Sequence, residues 1–324
     1  MDSFFVLNAE HLHLVLNHVP TLGTAIALAL LLLALVRRHD VLVQVGLETL
    51  FVIAVVTMPV YVTGAAAYAH LRDTAGFSDM AARLHQDAAL SGFAVTEFAG
   101  FIAWVALWQA RRTGQAGRGL VAAAVITSAI ALAIMGRAAT LGGEIRHAEI
   151  RPQTAAVQTL VGGGAETAAS DQFVASRISS YMVNSTWAWP AAETIHFLGL
   201  SLSIAILLAI NLRLLGVLPR VPFAELHRLL PWAMLGFGAN LITGMLFFVG
   251  QPGQYVNSTP FHWKVVFLVV AGANFLYLTV FKKAWDTAGQ DSRLADKAMA
   301  ITSLAAWFIV LYAGRMLPFL GNAF

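Results

Sequence analysis

The stretch NHVPTLGTAIALALLLLALVRR, residues 17–38, contains 18 consecutive uncharged and mostly apolar residues, followed by two arginines. A helix of about 20 such residues is long enough to cross the hydrocarbon core of a bilayer. A helix is the default structure for this run because lipid cannot satisfy the hydrogen bonds of an open backbone. The stretch therefore predicts a transmembrane helix with His18 at its amino-terminal end.

The rest of the chain repeats this pattern. Hydrophobic residues make up 58% of the sequence and charged residues only 11%, whereas a soluble domain carries about 25% charged residues. We expect an all-α polytopic membrane protein built as two four-helix bundles. The predicted spans are 15–36, 43–69, 87–110, 119–141, 188–212, 229–250, 263–281 and 298–319. The predicted domains are 1–147, an outer loop 148–187 with an interfacial helix near 171–183, and 188–324.

The distribution of positive charge predicts the orientation. Twelve of the 20 Lys and Arg residues fall on the side opposite the N-terminus, and six fall on the N-terminal side. The positive-inside rule then places both termini outside the cytoplasm, in the periplasm if the protein lies in a bacterial inner membrane. The first residues, MDSFFVLNAE, lack a positive region and a cleavage site, so we expect no removable signal peptide. Topology explains the basic loops, so no nucleic-acid partner is expected.

The histidines are concentrated at one membrane face. Eight of the ten lie at or just below the predicted outer face, namely His11, His13, His18, His70, His85, His147, His196 and His262. The chain has no cysteine, which excludes disulfides, iron–sulfur clusters, thiolate zinc sites and covalently attached haem. Several imidazoles at one depth on different helices suit non-covalent haem b, whose iron takes two axial histidines. We expect one or two haem b groups near this face.

Four histidines from four different spans are the predicted iron ligands, with His13 in reserve: His18, His85, His147 and His196. Two pairings are open, one within the first half and one between the halves: His85 with His147, and His18 with His196. A directly bound metal ion held by the same histidines is a second interpretation.

Other polar residues near these histidines are candidates for supporting roles. Three arginines could hold haem propionates: Arg137, Arg146 and Arg315. Two glutamates, Glu97 and Glu193, are candidates for proton transfer or for contact with a quinone, since ionisable residues inside a membrane are functional candidates by default. Glu193 and His196 also form a Glu-x-x-His pair, but a di-iron site needs two copies and further glutamates.

Both halves resemble known families. MPVYVTGAAAYAH, LHQDAA and TLGGEIRHAEI resemble an uncharacterised bacterial family of four-span membrane proteins, and AETIHFLGLSL, LLPWAMLGFGANLITGMLFF and YAGRML resemble a second such family. The chain departs from the first pattern in two places: TGAAAYAH lacks acidic residues, and Gln86-Asp87 stands where a glutamate is expected. As a fusion of the two, the chain is similar in general to bacterial membrane cytochromes b, which implies haem and electron transfer by analogy.

Three functional hypotheses follow. The first is an electron-transfer subunit, part of an oxidoreductase, that links a periplasmic redox protein or a larger membrane complex to quinone. The second is a transporter or assembly factor that takes metal or haem from the periplasm. The third is a non-redox anchor of a larger complex, with histidines that are merely interfacial.

Overall fold

A computed structural model describes residues 8–150, 173–281 and 294–320. Within these residues it contains eight helices that are long and apolar enough to cross a membrane, and it contains no strand. Each predicted span coincides with one of these helices, so the prediction of an all-α polytopic membrane protein is confirmed. Much of the predicted outer loop lies outside the described residues. A helix does occupy Val174–Asn184, close to the predicted interfacial segment.

The chain divides into two compact units. The first comprises Met1–Ala103 and Arg118–Tyr181, and the second comprises Trp104–Gly117 and Met182–Phe324. Three of the eight spans lie wholly in the first unit and four wholly in the second, and the third span along the chain has residues in both.

The first unit is formed by helices that pack around α3. Its elements are α1 (Ala9–Leu16), α2 (His18–Arg37), α3 (Asp40–Leu71), the first part of α4 (Asp79–Thr113), α5 (Arg118–Glu144), a short 3-10 turn (Ala148–Ile150) and α6 (Val174–Asn184). Helix α1 packs on α3 and α2, and α2 packs on α3 and α5. The side chain of Asn8 caps α1 by accepting a hydrogen bond from the His11 amide at 2.9 Å.

The predicted first span is broken into two helices at Asn17. The break allows α1 to pack against α3 as a separate element. As a result, His13 on α1 and His18 at the start of α2 belong to different helices, and only His13 is turned toward α3.

The second unit consists mainly of α7 (Ala188–Leu214), α8 (Phe223–Gly250), α9 (Pro252–Val256), α10 (Thr259–Leu276) with a π-helical extension (Tyr277–Phe281), and α11 (Leu294–Leu320). Helices α7 and α8 cross very closely. A Cβ on Gly199 would lie 2.7 Å from the Gly236 carbonyl oxygen, so only glycine fits there. Ser203 joins the same crossing by donating to the Ala233 carbonyl at 3.0 Å. Small residues at such crossings are typical of membrane helix packing.

Candidate functional site

Two histidine rings meet in the first unit. The ring centroids of His13 on α1 and His85 on α4 are 6.5 Å apart, and the ring planes stand at 77° to each other. His85 is one of the four predicted ligands, and His13 is the reserve. This pairing differs from both pairings that the sequence suggested.

Each ring is held by a backbone carbonyl of a neighbouring helix. Nδ1 of His13 lies 3.0 Å from the Val60 carbonyl oxygen, and Nδ1 of His85 lies 2.7 Å from that of Ala138. A carbonyl oxygen only accepts, so Nδ1 is the protonated nitrogen in both rings. The neutral imidazole then carries its lone pair on Nε2, and no described residue donates to either Nε2. Ligating histidines are oriented in this way by their second nitrogen.

Glycines make room for both rings. Gly64 on α3 and Gly142 on α5 each follow, by four residues, the carbonyl that accepts from the histidine. A Cβ on Gly64 would lie 2.8 Å from Cε1 of His13, and a Cβ on Gly142 would lie 3.2 Å from Cε1 of His85. The sequence interpretation missed these two glycines, although each stands in a motif that it quoted, TGAAAYAH and TLGGEIRH. The sequence carries no signal for this role, because it depends on which helix approaches each glycine.

The spacing of the pair fits a single iron ion between two imidazoles. With metal–nitrogen bonds of about 2 Å, two rings bound through Nε2 to one iron have centroids about 6 Å apart, close to the observed 6.5 Å. A metal ion bound without porphyrin would normally take additional protein ligands. Within the described residues, no group of three or more His, Asp or Glu side chains is arranged to hold one.

The other predicted ligands occupy different surroundings. His18 is exposed at the start of α2. His147 is also exposed, and its Nδ1 lies 2.9 Å from a carboxylate oxygen of Glu149. The structure therefore does not pair His147 with His85. His196 belongs to the second unit, where its Nδ1 lies 2.8 Å from the Thr243 hydroxyl.

The three predicted arginines are all exposed. In the first unit, Arg146 donates to the Thr74 hydroxyl at 3.2 Å and lies over the ring of Phe77. Arg315 in the second unit lies over the ring of Phe319, 5.4 Å from its centroid. Arg137 lies near the end of α5. The structure thus gives Arg146 and Arg315 local partners, and their predicted contact with propionates stays a prediction.

The two predicted glutamates differ in burial. Glu193 is exposed, whereas Glu97 lies near the middle of α4 and is partly buried. Its Oε1 is shielded from solvent and accepts no hydrogen bond from a described residue. A carboxyl group in that position is favoured in its protonated form, because a lone charge is costly to bury in a membrane.

Asp87 has a role that the sequence interpretation missed. Its two carboxylate oxygens accept hydrogen bonds from the amides of Val174 and Ala175, at 2.8 and 3.0 Å. A carboxylate at a helix N-terminus satisfies free amides and interacts favourably with the helix dipole. Asp87, two residues after His85, therefore fixes the start of α6 to α4.

Comparison with known proteins adds no identification. No family model, no curated protein and no solved structure matches this chain. The resemblance to two four-span families accordingly stays a prediction, and the function has to be inferred from the residues themselves.

Proposed function

We propose that the protein is a membrane-embedded electron-transfer subunit that binds haem b in its first unit, with His13 and His85 as axial ligands. The observation that carries the proposal is the close pair of imidazoles that are each anchored through Nδ1 to a backbone carbonyl. Each presents Nε2 because its Nδ1 is bound to a backbone carbonyl, and the ring spacing suits one iron between them.

When bound, haem supplies a centre that accepts and releases one electron. The chain's own residues hold and orient it. Helices α1 and α4 supply the two histidines, and the glycines of α3 and α5 leave space for the histidine rings. With both axial positions taken by histidine, no position is left for oxygen or substrate, which favours electron transfer. The partly buried surroundings of both rings limit the access of water.

The position of the pair supports exchange with a partner outside the cytoplasm. His85 lies six residues after the start of α4 at Asp79, roughly 9 Å along an ideal helix. The charge distribution predicts that this end of α4 is periplasmic. We therefore propose a periplasmic redox protein or a larger membrane complex as one electron partner, and the quinone pool of the inner membrane as the other.

An absorption spectrum of the purified full-length protein tests this proposal. We expect the reduced-minus-oxidised bands of b-type haem, and we expect His13→Ala and His85→Ala to lose them. The matched controls are His18→Ala and His147→Ala, which change exposed histidines of the same unit and should keep the bands.

Two results would reject the proposal. One is the absence of haem bands even after the protein has been supplied with haem. The other is a spectrum that depends on His18 or His147 but not on the proposed pair. Copper or iron bound without porphyrin would instead favour the metal-handling hypothesis.

A further inference from the structure

The second unit contains a layer of polar groups close to one end of its four long helices. His196 on α7, Thr243 on α8, Lys264 on α10 and Gly314 on α11 each lie about five to eight residues from the helix end on that side. Successive spans alternate in direction, so these four positions share a similar depth. The proposed haem ligands lie in the other unit and use none of these residues.

Hydrogen bonding makes His196 an acceptor in this layer. The Thr243 hydroxyl donates its hydrogen to the Ala239 carbonyl at 2.7 Å. The hydroxyl oxygen can therefore only accept from His196, so Nδ1 of His196 is the donor in their 2.8 Å hydrogen bond. Nε2 of His196 then carries the lone pair. Asn240 adds a second acceptor, because its Nδ2 donates to the Gly236 carbonyl while its buried Oδ1 has no partner among the described residues.

Lys264 supplies a strong donor to the same layer. Its Nζ lies 3.5 Å from the position that a Cβ on Gly314 would occupy, and no described carboxylate forms a salt bridge with it. Helix α11, which carries Gly314, packs on both α7 and α10, so His196 and Lys264 lie on the two helices that flank it. A charged group inside a membrane protein without a counter-ion is costly, and such groups mark ligand or ion sites.

Aromatic side chains line the layer beside His196. The ring of Phe247 is centred 5.7 Å from the His196 ring, and the ring of Trp189 is centred 4.9 Å from that of Phe247. Gly244 leaves space on the same side, since a Cβ there would only touch Cε1 of His196 at 3.8 Å. A flat ring is the ligand shape that such walls favour.

An apolar groove of about 510 Å³ lies along α7 and α11. Aliphatic and aromatic side chains form most of its wall, including Ile204, Leu208, Leu304, Phe308 and Leu311. On α11 its lining residue Leu311 lies three residues, less than one helical turn, before Gly314. The groove therefore begins about one turn from the polar layer on α11 and extends toward the other end of the unit.

We propose that this layer and groove form a binding site for an isoprenoid quinone in its oxidised or reduced form. The ring would occupy the polar layer, where Lys264 donates to a quinone carbonyl and Nε2 of His196 accepts from a quinol hydroxyl. The tail would lie in the groove. An anionic phospholipid headgroup fits less well. Its phosphate oxygens only accept hydrogen bonds, so they would repel the acceptor atoms of His196 and Asn240. The assignment rests on the proposed function, since it names the membrane carrier of that electron transfer.

Quenching of tryptophan emission in the full-length protein measures this binding without relying on haem, because Trp189 and Trp307 line the site. The probes are decyl-ubiquinone and the same benzoquinone headgroup without its tail. We expect saturable quenching, with decyl-ubiquinone bound about tenfold more tightly than the headgroup alone. Leu304→Phe narrows the groove and should weaken only the binding of the tailed probe.

Lys264→Met should weaken the binding of both probes about tenfold or more, because a charge-assisted hydrogen bond is lost. Lys297→Met, at an exposed lysine of the same unit, is the matched control and should bind as the wild type does. His196→Gln provides a second site variant and should also bind both probes more weakly.

Wild-type binding that is absent, or that is unchanged in both Lys264→Met and His196→Gln, would overturn the quinone site. Displacement of the probes by phosphatidylglycerol at equal concentration would overturn it in favour of a lipid site. The His13→Ala variant separates the two proposals: it should lose haem and still bind decyl-ubiquinone. A protein without haem bands that binds quinone would reject the proposed function alone.

Discussion

The two units orient histidine by the same device but surround it differently. In the first unit, the Nδ1 atoms of His13 and His85 are both bound to backbone carbonyls, and the ring centroids lie 6.5 Å apart with nearly perpendicular planes. In the second unit, His196 is bound through Nδ1 to a side-chain hydroxyl, and Lys264 lies at a similar depth on another helix of the unit. A pair of acceptor nitrogens suits a metal, whereas an acceptor beside an ammonium suits a ligand that both donates and accepts hydrogen bonds.

The largest expected effect is on haem content, and it distinguishes Gly64, beside His13, from Gly244, beside His196. Gly64→Ala sets a Cβ 2.8 Å from Cε1 of His13, and such overpacking costs about 1–3 kcal/mol. We expect the haem content of this variant to fall about tenfold, since 1.4 kcal/mol is a tenfold change in affinity. The matched change Gly244→Ala, beside His196 at 3.8 Å, should leave haem content unchanged. Equal haem content in the two purified variants would remove the distinction.

The next effect concerns the stability of the second unit. Lys264→Met removes an ammonium that has no ion-pair partner among the described residues, and replacing an uncompensated charge by an apolar side chain should stabilise the protein by about 1 kcal/mol or more. Thermal unfolding in detergent measures the change, with Lys297→Met as the control. A lower unfolding temperature for Lys264→Met would show that the protein itself compensates this charge.

A similar but local effect is expected where α6 meets α4 in the first unit. Asp87→Ala removes the carboxylate that caps α6 and should cost about 1 kcal/mol at that helix end. We expect faster proteolysis near Val174, with little change in the haem spectrum. Asp73→Ala is the control because Asp73 is largely exposed and, among the described residues, forms an ion pair only with neighbouring Arg72 at 3.6 Å. Equal proteolysis rates in both variants would contradict the capping role.

The smallest expected effect tests how His196 is held. Thr243→Val removes the hydroxyl that fixes Nδ1 and should weaken decyl-ubiquinone binding only a few-fold, about 1 kcal/mol for one neutral hydrogen bond. The haem bands, which depend on the other unit, should not change. No equivalent substitution exists for His13 and His85, because their Nδ1 atoms are bound to backbone carbonyls rather than to a side chain. A loss of haem on Thr243→Val would break the proposed division of roles between the units.

The spans could be predicted from the sequence because each is a long apolar run, and length and composition alone decide whether a helix can cross a bilayer. The break at Asn17 could not be predicted in the same way. It lies where Asn17 and His18 precede the apolar run, three residues before Pro20, and α1 on its other side packs on α3, a contact between residues distant in the chain.

The candidate site was predicted only in part for the same reason. The concentration of histidines at one face follows from their positions at span ends, which the sequence displays. Their pairing depends on which helices are neighbours and on how closely they approach, which Gly64 and Gly142 control. The sequence interpretation also did not single out Lys264. The sequence shows that a lysine lies near a span end, but it does not show whether a carboxylate lies beside that lysine.

Electron paramagnetic resonance of the oxidised full-length protein tests the central claim most directly. Two axial imidazoles with nearly perpendicular planes, as the 77° between His13 and His85 indicates, give ferric haem a strongly anisotropic low-spin signal. We predict this signal in the wild type and in His147→Ala, and its loss in His13→Ala and His85→Ala. A high-spin signal alone in the wild type, or a low-spin signal that survives both of those changes, would contradict the account.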